Sequence, residues 1–451
     1  MVHLFKSFIL TIILTFILPL FILNQTNYKI VDLTIILNLF IIVYSGIRLS
    51  ILSFSNHNNI IFITFWIFVY VWLGLASFSQ ILLNRYPWHG FYSINEINFG
   101  LIIILLGLAF FDLGSYFGKK LYENRSGKSQ FLINMIISPT KTVLLGVLGF
   151  FVSLYVIKST GGFNNLFLPR LLFESLFPTT MDFLINRTLL TIPIFVTLLS
   201  LLILFKNKLI NKHFYFFFIF TIITLIFNVL INNPIVHPRY WFGSVFLSAI
   251  LILIKWKRTS AFNWICFFLI LMIIVFPYAD YFRAENQQFD LKPISVVMSE
   301  NGDYDAFQMI LNTIKYVEIK GISYGAQLFG VIFFWLPRSL WAGKPHGSGA
   351  TVAEELGYSF TNLSSPFWAE SYINFGLVGV ILILFLYGVF IRILHEGYQN
   401  SLENKASLVS FIAPYFAAYQ FFFLRGDLLN SFAYLISVIF FFSLVIKIRK
   451  V

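Results

Sequence analysis

Apolar residues arrive in long runs separated by short polar breaks. The runs fall at roughly 7–23, 30–46, 60–83, 97–117, 142–157, 188–205, 214–231, 240–254, 261–279, 372–394, 407–424 and 428–446. Nearly all are long enough, as helices, to cross a hydrocarbon core about 30 Å thick, and 240–254 is the weakest. No water reaches backbone groups at that depth, so helices are the expected spanning form, and the alternation of a barrel strand is absent. The pattern predicts an all-α polytopic integral membrane protein with about twelve transmembrane helices. No internal repeat or separate soluble domain shows, so 1–451 reads as a single transmembrane domain with 280–371 a large loop within it. Ser7–Leu23 lacks a small-residue cleavage site and reads as a retained helix.

That loop has a pattern of its own. Asp280–Pro293 is polar. Asp303–Val317 carries Tyr304, Phe307, Ile310, Leu311 and Ile314 at helical spacing and is expected to lie at the membrane interface. Gln327–Trp341 is apolar but short, and is expected to re-enter the membrane or rest on the bundle. Residues 158–187, with Gly161-Gly162, Arg170 and Glu174, form a second connection.

Composition agrees with the pattern. The chain is 59% hydrophobic and 11% charged, whereas a soluble protein carries about 25% charged residues. Cys266 is the single cysteine, which excludes a disulfide framework. The net charge of +12 is spread singly or in small clusters between apolar runs, as topology signals are, and does not call for nucleic acid. With the N-terminus in the cytoplasm, the cytoplasmic segments hold 18 of the 31 Lys and Arg, packed into short loops. Both termini are then cytoplasmic, and 280–371 faces the external or periplasmic side.

Three cationic spots lie at external helix ends beside proline or glycine: Arg239, Arg338 with Lys344, and Arg425. Arginine is costly in hydrocarbon and its planar fork suits phosphate oxygens, so the set points to a polyanionic headgroup such as a diphosphate. The alternative is that each snorkels to lipid phosphate or pairs locally, as Arg425 could with Asp427. Among the carboxylates, Glu370 is best placed as a general base on a sugar hydroxyl, between Phe367-Trp368 and a helix expected to start at Tyr372. The other reading, a carboxylate at a helix N-terminus, stays open. Glu354 and Glu355 read as a solvated helical face. Asp303-Tyr304-Asp305 resembles a metal–nucleotide-sugar aspartate pair, but a helix N-cap is the better reading. His346 is a lone loop histidine. GKPHGSG lacks the earlier glycine and the Ser/Thr of a P-loop, and no metal-ligand spacing occurs, so no metal and no cofactor are expected. Trp335, Trp341 and Trp368 are expected at the external interface.

The runs WLPRSLWAGKPHGSGATVAEELGY and SSPFWAESYINFGLVGV resemble the O-antigen polymerase family, the Wzy-type oligosaccharide repeat-unit polymerases of bacterial envelopes. Pro337, Arg338, Trp341, Lys344 and Pro345 match one motif; Glu370, Tyr372, Asn374, Phe375 and Gly376 match a second; Arg239 and Arg425-Gly426 resemble the family's other arginine positions. The resemblance implies a multi-pass glycosyltransferase of the bacterial inner membrane, acting on polyprenyl-diphosphate-linked oligosaccharide among membrane lipid. It also raises a chain-length regulator protein as a partner. It implies diphosphate binding by Arg239, Arg338, Lys344 and Arg425, with Glu370 and Arg338 catalytic. An O-antigen ligase shares this architecture. A flippase is the reading from another class, although its charges should lie at the bilayer midplane.

Overall fold

The computed structural model describes residues 2–26, 32–55, 57–124, 135–169, 172–173, 175–177, 185, 189–210, 213–254, 256, 260–278, 292–403 and 407–448. Arg170, Glu174 and the polar stretch up to residue 291 lie outside them.

The protein is an all-α polytopic membrane protein. Among the described residues, nine apolar helices precede the long connection: α1 (Leu4–Asn24), α2 (Leu33–Phe54), α3 (Ile60–Leu83), α4 (Ile94–Asn124), α5 (Pro139–Ser159), α6 (Leu189–Lys206), α7 (Phe214–Ile231), α8 (Arg239–Leu253) and α9 (Ser260–Val275). The connection holds α10 (Ile294–Glu300), α11 (Ala306–Lys320), α12 (Ala326–Ile332) and α13 (Ser348–Glu355). The chain closes with α14 (Phe367–Glu403), α15 (Leu408–Arg425) and α16 (Leu428–Val445). Among the described residues, ten of the twelve expected spans are helices long and apolar enough to cross a membrane; α8 and α9 are apolar but shorter.

The chain forms two compact units. The first comprises Met1–Lys119, Trp256–Arg392 and Phe423–Ser431; the second comprises Lys120–Lys255, Ile393–Phe422 and Phe432–Val451. In the second, β1 (Met135–Ile137) pairs antiparallel with β2 (Ile446–Ile448).

The first unit is built around α3, whose residues are buried on every side. It reads as apolar all round, as a fully enclosed helix must. Its few polar groups serve the long connection. Trp72 Nε1 donates to Asp303 O at 2.8 Å, and Gln80 Nε2 to Met298 O and Tyr304 O at 3.2 and 2.9 Å. Trp72 lies eleven residues before the end of α3, about 16 Å down the helix at 1.5 Å per residue. Residues 294–305 therefore descend into the unit beside α3. Their chain then turns into α11, in which Ala306–Ile314 are buried on every face. This corrects the expectation of an interfacial helix: the apolar spacing was real, but its polar positions are also covered.

A second correction concerns α14, which begins at Phe367 and is broken at Phe375 (φ −142°, ψ 19°) and Gly376 (φ 61°, ψ −145°). A Cβ on Gly379 would lie 2.1 Å from Ser371 O, and one on Gly107 would lie 2.2 Å from Trp368 Nε1 and 3.2 Å from Leu384 Cγ. In one straight helix residues 368 and 384 would stand about 24 Å apart. The chain instead reverses at Gly376, whose backbone angles suit only glycine. Residues 367–374 form the short arm of a helical hairpin. Ser323 N and Gly325 N take the carbonyls of Ile373 and Asn374 freed at the break, at 2.8 and 3.2 Å. The short arm carries Trp368 down to Phe65 and Phe68, with ring centroids 6.3 and 6.5 Å away. Trp368 is fully buried rather than interfacial, while Trp335 is 66% exposed.

Candidate active site

Of the buried carboxylates in the first unit, Glu370 at 2% exposure and Asp427 at 8% reach the same two helix ends. Asp427 precedes α16 and accepts from Leu429 N at 2.9 Å, so it caps that helix. Its other oxygen accepts from Gly349 N, in the first turn of α13, at 3.0 Å. Glu370 repeats the arrangement: one oxygen accepts from Leu428 N at 3.0 Å, the other from Ser348 Oγ at 2.7 Å, and Ser365 adds a second hydroxyl. Each carboxylate thus joins the first turns of α13 and α16, where partial positive charge stabilises an anion. Burial still pushes the Asp427 carboxyl above its ordinary range, against the pull of backbone N–H groups from Gly349, Leu429 and Asn430. Of the two readings kept open for Glu370, the carboxylate at a helix N-terminus is the one seen here. It does hold a helix N-terminus, though that of α16 and not its own.

Positions 347 and 349, on either side of Ser348, have room only for glycine. A Cβ on Gly347 would lie 2.3 Å from Asp427 Oδ2, and one on Gly349 would lie 2.3 Å from Leu363 O.

Arg425 does not pair with Asp427. Its Nη2 donates to Asp305 Oδ1 at 2.9 Å and to Gly302 O at 2.6 Å. Asp305 Oδ1 also accepts from Ser364 Oγ at 2.7 Å, and Oδ2 accepts from Trp88 Nε1 at 2.9 Å. Asp305 precedes α11 without capping it by its side chain. Asp305 thus stands at the N-cap position expected for it, but its side chain is spent on Arg425, Ser364 and Trp88; Asn301 Oδ1 takes the Asp303 N–H.

Arg338 and Lys344 come together in one basic loop. Lys344 Nζ donates to Phe334 O and Leu336 O at 2.6 and 2.9 Å, and Arg338 donates to Lys344 O and Pro345 O. Lys344 is 9% exposed, and burial together with the Arg338 charge holds its ammonium below the usual lysine range. Arg338 and His346 are exposed. Arg239 opens α8, in the second unit. Glu354 and Glu355 are exposed as expected, with Glu355 3.1 Å from Lys320.

Sequence reasoning did not assign Ser348, Asp305 or Asp427 to the site. Asp427 carried a visible signal, an aspartate directly before an apolar run, which is an N-cap pattern. Ser348 had none, and the Asp303-Tyr304-Asp305 pattern did not point to Arg425, because these partners lie far away in the chain. Among the described residues no group of three or more His, Cys, Asp or Glu could hold a metal ion.

No curated protein and no solved structure matches the chain. The family resemblance carried by the loop motifs is borne out over residues 244–450, which hold both carboxylates, the basic loop, Asp305 and Arg425, and which match the model of the family described as O-antigen polysaccharide polymerase Wzy.

Proposed function

We propose that the chain polymerises polyprenyl-diphosphate-linked oligosaccharide repeat units into O-antigen or a related surface polysaccharide, at the periplasmic face of the bacterial inner membrane. The observation that carries this reading is the pairing of a buried carboxylate with a hydroxyl, Glu370 with Ser348, four residues from a basic loop and inside the stretch that matches the polymerase family.

In this reading the bond from the donor's first sugar to its diphosphate breaks, and a bond forms from that sugar to a hydroxyl of the next lipid-linked unit. The hydroxyl proton passes to Glu370, to whose carboxylate the acceptor hydroxyl donates beside Ser348 Oγ. The separation of 2.7 Å is that of a working base and its proton donor. The polyprenyl diphosphate leaves. Lys344, Arg338 and Arg425 exchange backbone oxygens for phosphate oxygens, which are better acceptors, and stabilise the charge that develops. Arg239 is proposed as a fourth diphosphate contact, from its motif position.

The test is Arg338→Ala in cells. The expected outcome is loss of polymer with single repeat units still attached to lipid A core. Normal polymer lengths would overturn the proposal, and loss of even the single unit would favour a ligase.

A further inference from the structure

We infer that Asp427 is a positioning residue, which with Glu370 locks the first turn of α13 so that the basic loop ahead of it is held ready for the donor diphosphate. This rests on the proposed reaction.

Asp427 reaches back 78 residues to accept from Gly349 N in α13 and also accepts from Leu429 N in α16. Glu370 does the same one residue earlier on both helices, through Ser348 Oγ and Leu428 N. The two bridges run side by side, so the first turn of α13 cannot rotate or slide without breaking both. Gly347 lies so close to Asp427 Oδ2 that not even a methyl group fits between them.

The lock reaches the cations through a short, stiff stretch. Lys344 stands three residues before Gly347, and Pro345 between them has its φ fixed by its ring. Pro345 packs so closely on Gly330 of α12 that a Cβ there would lie 2.7 Å from Pro345 Cγ. Arg338 is in turn held to Lys344 O and Pro345 O. A displacement at Gly349 is therefore passed to both cations. Asp427 itself is buried and spends its oxygens on backbone N–H groups, which suits positioning and not contact with substrate.

The experiment compares wild type, Asp427→Asn and Ser348→Ala as full-length protein in lipid nanodiscs. Hydrogen–deuterium exchange is followed at residues 344–351, and polymer formation is measured with lipid-linked repeat units extracted from the host's own membranes. Asparagine keeps the shape but cannot accept from both N–H groups. In Asp427→Asn, exchange should quicken by about tenfold and KM for the lipid-linked unit should rise by about tenfold, the scale of one hydrogen bond to a charged group, with kcat little changed. Ser348→Ala should move both readouts the same way by less, since only the Glu370 bridge opens; it also keeps the test alive if Asp427→Asn fails to fold. Unchanged exchange, or a fall in kcat at constant KM, overturns the inference. If wild-type protein forms no polymer, the proposed reaction has failed, and the exchange readout still decides whether the lock exists.

Discussion

Ser348 donates its hydroxyl to Glu370 at 2.7 Å, across 22 residues of chain, and both side chains are buried. A carboxylate kept away from water costs free energy unless donors surround it. Here three do: two hydroxyls and the first N–H of α16. The arrangement makes Glu370 both an anchor of the fold and the candidate base, and the two roles separate by experiment.

Glu370→Gln keeps the side chain's shape. Its amide oxygen can still accept from Leu428 N, and its NH₂ can donate to Ser348 Oγ. Thermal unfolding should shift by only a few degrees. Loss of a general base should cost about 10²–10⁴-fold in kcat. Polymerisation within threefold of wild type would remove Glu370 from the chemistry.

The Arg425–Asp305 pair should behave as a buried pair. Asp305→Ala removes the carboxylate beside the buried guanidinium and should destabilise the protein by about 3–5 kcal/mol, whereas Asp305→Ala with Arg425→Ala should cost clearly less than the sum of the single changes. Chemical denaturation of the four proteins measures the coupling, and additivity would show that the contact contributes nothing.

Gly347→Ala should be among the most damaging single-methyl additions in the loop. Its Cβ would meet the Asp427 carboxylate at 2.3 Å, and the resulting overpacking should cost about 1–3 kcal/mol. Gly343→Ala is the control: the nearest side-chain atom to its Cβ is Trp341 Nε1 at 4.0 Å, so its unfolding temperature should match wild type.

Stability should depend on pH through Asp427. Burial raises its folded-state pKa above the ordinary carboxylate value, so the folded chain holds the proton more tightly than the unfolded chain. The resulting stability is fully present below about pH 3.9, the unfolded aspartate value, and is lost as pH rises through the folded value. Unfolding temperature should therefore decline on going upward from about pH 4. In Asp427→Asn the profile should be flatter, and an unchanged profile would place the pH dependence elsewhere.

The hydrophobic pattern alone determined the class of the protein and, among the described residues, the place of ten helices of membrane-crossing length and two shorter apolar ones. A bilayer demands long uninterrupted apolar runs, and that demand is written locally in the chain. The basic loop and the two motifs were legible for the same reason, since their residues are neighbours in sequence. Tertiary structure decided the rest. The reversal at Phe375-Gly376 lies within an otherwise apolar passage, so hydropathy runs through it unbroken. It decides that Trp368 reaches the inside of the first unit and that Glu370 is buried. Arg425 found Asp305, 120 residues away, and not the aspartate two positions along. A buried charge needs whichever opposite group the packed helices bring within about 4 Å, and local sequence does not specify which one that is.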